Sequence, residues 1–96
     1  MSPLKRKKLE KIRFHLDKLD NSLIKLIKKR TYLVKKVLAL KENKSQIVDQ
    51  KRIKTILKNI RKKSLKNSID PKITNRIWKN MIWSYIDYER RNFKKK

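Results

Sequence analysis

The chain has 96 residues, with 31 Lys and Arg against 8 Asp and Glu, one His, no Cys and no Gly, and a formal charge of +23 at pH 7. Without Gly it lacks a phosphate-cradling loop, a dinucleotide fingerprint and a primed hairpin turn, each of which needs positive φ or a missing side chain. Without Cys, and with His15 alone, a structural zinc site, a disulfide framework and a Ser-His or Cys-His nucleophile pair lack their usual parts, so the chemistry left to this chain is electrostatic.

From Leu9 the apolar residues fall at 9, 12, 16, 19, 23, 26, 33, 37 and 40. This three-and-four spacing is that of one long helix packing along a seam. At the missing place, position 30, the seam carries Arg30. Nothing interrupts the pattern before Glu42-Asn43-Lys44-Ser45, which predicts a first helix over about 4–42. Asp49 is placed to cap a second helix over about 50–65, with Ile53, Ile56, Leu57, Ile60 and Leu65 as its buried stripe. Lys66, Asn67 and Ser68 form the next connection. Asp70-Pro71 is an N-cap followed by Pro at the first helical position. It opens a third helix over about 71–92 that carries Ile73, Ile77, Trp78, Met81, Ile82, Tyr85, Ile86 and Tyr88. No strand, repeat or linker is read, so the expectation is a single all-α domain over 1–96, a three-helix chain with one long N-terminal helix and two shorter ones.

A first helix of that length measures roughly 55 Å, whereas a compact chain of this size has a radius of gyration of about 12–13 Å. Two shorter helices do not cover it. The seam is therefore expected to bury itself against a second copy of the chain, with antiparallel pairing as the simplest closed two-fold arrangement, giving an intertwined helical homodimer. No stretch reaches the roughly 20 apolar residues of a spanning helix, and the N-terminus lacks the apolar segment of a secretory signal, so no membrane partner and a cytoplasmic location are expected. The charge invites an anionic partner. Yet 23 of the basic residues are Lys, accompanied by 12 Ile and 7 Asn, a trio that an AT-rich genome favours at any tolerant surface position.

Three basic residues of the first helix stand out by their place relative to the seam: Arg13, Arg30 and Lys41. Arg30 and Lys41 are three turns apart, on nearly the same face and roughly 16 Å apart along the axis, within reach of one small anion held between them. Arg13 lies about 42 Å from Lys41 along the same axis, too far to join them within one chain. An antiparallel partner would supply it. The plainer reading of Arg30 is a buried structural cation paired with Asp17, Asp20 or an acid of another helix.

The run Ile12-Arg13-x-x-Leu16-Asp17-x-Leu19-Asp20-x-x-Leu23, followed by Arg30, Val37 and Lys41, resembles the all-helical, type II class of chorismate mutases. Asp49-Gln50-Lys51-Arg52 is similar to the family's Asp-x-x-Arg opening of its second helix, and Ile69-Asp70-Pro71 with Ile77-Trp78 to the start of its last. The resemblance covers about residues 9 to 90. It implies an intertwined dimer with two equivalent sites that isomerises chorismate, a small dianion, to prephenate in aromatic amino-acid biosynthesis. That pericyclic reaction needs no cofactor, metal or nucleophile, only restraint of a flexible substrate and stabilisation of charge as the ether bond breaks.

Carried over residue by residue, the resemblance assigns Arg30, and Arg13 contributed across the dimer interface, to the two carboxylates, through forked hydrogen bonds that a guanidinium offers. Lys41 is assigned to the ether oxygen and a carboxylate, Arg52 to the ring and its hydroxyl, Asp49 to the second helix terminus, and Val37 and Ile82 to apolar walls. The surplus charge then also acts as a field that draws in the dianion.

Two departures bear on chemistry. Where the family usually has Glu after its arginine, this chain has Ile53, so the contact to the substrate hydroxyl is lost. Near the end of the third helix Tyr85 and Glu89 stand where Ser and Gln are common; they lie one turn apart on one face. An ionised Glu cannot donate to the ether oxygen, so Glu89 must be protonated to act, and a rate that rises below neutral pH is expected. Ile53 and Tyr85 also resemble a sister branch, the isochorismate pyruvate lyases, which form salicylate and pyruvate on the same scaffold, although that branch keeps Gln where Glu89 stands. A basic helical nucleic-acid-binding protein is the rival of another class. Against it, Arg13, Arg30 and Lys41 follow an inward register, and no helix has the Arg-rich face or glycine-bearing turn of a groove-reading motif. A purely structural helical dimer is the remaining alternative.

Overall fold

In the computed structural model, residues 1–94 are described, and they form three α-helices: α1 (Pro3–Leu40), α2 (Gln50–Lys66) and α3 (Pro71–Asn92). A short 3₁₀ turn over Lys44–Gln46 lies between the first two. No described residue lies in a strand. The chain divides into two compact units, Met1–Leu33 and Val34–Lys96.

The first unit is the greater part of α1. Its seam is uncovered in the single chain: Leu16, Leu19, Leu23 and Leu26 are each more than half exposed, and α1 has no buried residue. At its other end α1 stops at Leu40, two residues short of the expected Glu42. The reason is local. Lys41 N–H closes a tight turn on Leu38 O, and the Gln46 side-chain oxygen accepts from Glu42 N–H (2.6 Å) and Asn43 N–H (3.2 Å), replacing the helical bonds that would have continued α1.

The second unit holds the core. Ile47, Ile82 and Ile86 are buried together, and Val48, Ile53, Ile56, Leu57 and Phe93 pack against them. α2 thus lies on α3 through the stripe its periodicity predicts, with Ile53, Ile56, Leu57 and Ile60 half-buried. Leu65 does not complete that stripe and is 57% exposed. Its neighbour Ser64 is buried instead, its hydroxyl hydrogen-bonded to Ile60 O and to the Thr74 hydroxyl of α3. At the close approach of the two helices a small hydroxyl with partners on both sides fits where Leu would not. In α3, Ile73 and Ile77 are likewise more than half exposed, while Ile82 and Ile86 carry the packing.

Both predicted caps are in place: Asp49 accepts from Arg52 N–H at 3.0 Å and Asp70 from Lys72 N–H at 2.9 Å. The end of α2 is less usual. Ile69 N–H bonds to Ser64 O and Ser68 N–H to Leu65 O, the paired bonds of a Schellman ending, which puts Ser68 in the left-handed region at φ 57°. That place favours Gly, of which this chain has none. Ser68→Gly is expected to stabilise the protein by about 0.5–1 kcal/mol. Thermal melting should show a rise of roughly 2–8 °C in Tm.

Candidate active site

Just beyond the end of α1, the Lys41 side chain turns inward rather than into solvent, because two acceptors await its ammonium. Nζ lies 3.0 Å from Glu89 Oε1 on α3 and 3.4 Å from Ile47 O in the connection. The ion pair is shielded, the Lys41 and Glu89 side chains being 17% and 6% exposed. A charge pair so placed is held by its geometry and hydrogen bonds, since burial alone disfavours both ions. Glu89 owes its burial to α3's periodicity, which puts it in line with Ile82 and Ile86, and Lys41 supplies the charge that makes this tolerable.

On its other side Lys41 borders an open groove of about 550 Å³, walled by Val37 and Leu40 from α1, by Gln46 and Val48 from the connection, and by Asp49 and Gln50 at the start of α2. The volume is that of a small-molecule site. Its surroundings combine apolar walls, one fixed ammonium and the capped terminus of α2.

The second unit therefore brings together Val37, Lys41 and Asp49 at the groove, with Glu89 behind Lys41. Arg52 lies in the first turn of α2 with its side chain exposed. Ile53 and Ile82 belong to the apolar core, and Tyr85 is half-buried one turn before Glu89. In the first unit, Arg13 is exposed and Arg30 half-buried on α1.

The connection contributes more than its sequence promised: Gln46 and Val48 line the groove, and Ile47 is buried with its carbonyl on Lys41. A signal was present. Val48 just before the Asp49 cap and Ile53 four residues after it have the spacing of a hydrophobic staple, and both pack on the core cluster.

Comparison with known proteins decides the family. The model of the family described as chorismate mutase type II matches residues 12–90. The chain belongs to the type II chorismate mutase family. The match spans all three helices, in keeping with the all-helical structure. No curated protein and no solved structure matches the chain. Among the described residues of this type II mutase family member, no helix is long and apolar enough to cross a membrane.

Proposed function

We propose that the protein is a chorismate mutase, an isomerase that converts chorismate to prephenate at the groove beside Lys41, and that it works as a homodimer. The observation that carries the reading is the placement of the Lys41 ammonium, fixed by Glu89 at the edge of a ligand-sized groove, in a chain of this family. In the reaction the ether C–O bond breaks as a C–C bond forms, and the electrons move in one cycle with no proton transferred. Negative charge grows on the ether oxygen. A pre-oriented ammonium stabilises that charge without reorganisation. Arg30, and Arg13 of a second copy, are assigned the substrate carboxylates, whose fixation restrains the substrate in a reactive conformer. Arg52 and Tyr85 border the ring, and Val37 gives an apolar wall.

The dimer reading rests on the uncovered seam of α1. A row of leucines each more than half exposed along one helix is stable in water only when a second surface covers it. A second copy matches by symmetry, and the same pairing would deliver Arg13.

The decisive assay follows chorismate consumption and prephenate formation by the purified protein. Turnover is expected, with Arg30→Ala inactive and still helical by circular dichroism. Salicylate and pyruvate from isochorismate, with chorismate untouched, would instead assign the lyase chemistry; no turnover of either compound would refute the enzymatic reading.

A further inference from the structure

The mutase reading uses few of the cations, and of those on α2 it uses Arg52 alone. This 17-residue helix carries eight Lys and Arg and no Asp or Glu. All eight are exposed, because Ile53, Ile56, Leu57, Ile60 and Ser64 take up the side turned to α3. Lys54, Lys58 and Lys62 form one row at four-residue spacing. The helix is about 26 Å long, so averaged along its axis it carries roughly one positive charge per 3 Å. That is the scale of the charge on one strand of a duplex, one phosphate per about 3.4 Å of helix axis.

The track continues onto α3. Lys58 and Arg61 of α2 share a groove of about 440 Å³ with Lys72 of α3, and Lys72 shares the next, of about 490 Å³, with Arg76. Between residues 50 and 86 Asp70 is the single acid, and its carboxylate is occupied by the Lys72 N–H at the helix cap.

We propose that the outer face of α2, continued by Lys72 and Arg76, binds the phosphate backbone of duplex nucleic acid without reading sequence. Charge complementarity selects the occupant. Protein interfaces deplete Lys and need an apolar centre, whereas on α2 eight cations accompany one exposed apolar side chain, Leu65; the exposed Ile73 and Ile77 adjoin only the α3 end of the track. A membrane-surface helix buries its apolar face in lipid, and the apolar side of α2 is packed in the core cluster. Single strands are gripped by aromatic stacking, and α2 has no aromatic residue. Backbone contact requires no Arg-rich groove-reading face or glycine-bearing turn, and it uses none of Arg13, Arg30 and Lys41. The proposal is independent of the mutase reading.

The test is fluorescence anisotropy of two unrelated 20-bp DNA duplexes between 50 and 200 mM KCl. Equal binding of both is expected, with log K falling against log[KCl] at a slope of about −4 to −6. The triple variant Lys54→Gln, Lys58→Gln, Lys62→Gln should flatten the slope by about three and weaken binding at least tenfold at 100 mM salt. The control triple Lys5→Gln, Lys7→Gln, Lys8→Gln removes the same charge from α1 and should change the slope by less than one. Circular dichroism verifies that both variants keep the wild-type helix content. Absence of wild-type binding at 100 mM, equal effects of the two triples, or tighter binding of phosphatidylglycerol vesicles lost in the α2 triple would each overturn the proposal.

Discussion

Lys41→Ala is expected to lower kcat/KM for chorismate by about 10²–10³-fold, the scale on which removal of one pre-oriented donor to a developing oxyanion acts. The same substitution strips the buried Glu89 carboxylate of its ion-pair partner, so a loss of about 1–3 kcal/mol in stability is expected alongside. The two effects separate in the double variant Lys41→Ala/Glu89→Gln. A neutral amide is less costly to leave beside the vacated space, so stability should recover in part while turnover does not. Denaturant unfolding and steady-state rates read the two quantities independently. Full activity in Lys41→Ala would remove the electrostatic mechanism.

Glu89 by itself adds a further test. In this structure its Oε1 accepts from Lys41 Nζ, whereas action on the ether oxygen requires a donor. Glu89→Gln is expected to raise kcat/KM for chorismate, because an amide donates to the ether oxygen and a carboxylate does not. An unchanged kcat/KM in Glu89→Gln would leave Glu89 a structural partner of Lys41 alone.

The second large effect concerns the seam of α1. Leu19 and Leu23 are 60% and 53% exposed in the single chain. For an isolated chain, replacing both by Asp is a surface change within about 0.5 kcal/mol per site. In a two-fold assembly the same change removes four buried leucines, each contributing about 1.5–3 kcal/mol. Association should therefore be abolished. Sedimentation equilibrium is expected to give two chains for the wild type and one for Leu19→Asp/Leu23→Asp, with helicity reduced because a lone, charge-rich helix is marginal in water. A wild type that sediments as one chain would sink the dimer reading and, with it, the role given to Arg13.

Much of the architecture was legible from residue patterns. The apolar period placed three helices, and Asp49 and Asp70-Pro71 marked the starts of α2 and α3 at the residues found to cap them. These features are local: a cap and its N–H lie within three residues, and a helical stripe repeats within a turn. Leu65 shows the limit. Its spacing fitted the stripe of α2, but periodicity leaves several neighbouring residues near the same face, and the approach of α3 at Thr74 selected Ser64 for burial.

The site divides in the same way. Family resemblance singled out Lys41 and Glu89, yet they are 48 residues apart, and nothing in their spacing says that a carboxylate and an ammonium meet. By itself the sequence determined the helices, their caps, the seam and the surplus of positive charge, because each depends on neighbours along the chain or on a sum over it. Only the tertiary structure decided that Ile47 enters the core, that Lys41 turns inward to Glu89, and that the cations of α2 share one unbroken outer face continued by α3. Those outcomes depend on which surfaces from distant parts of the chain come close enough to exclude water, a competition that no single segment contains.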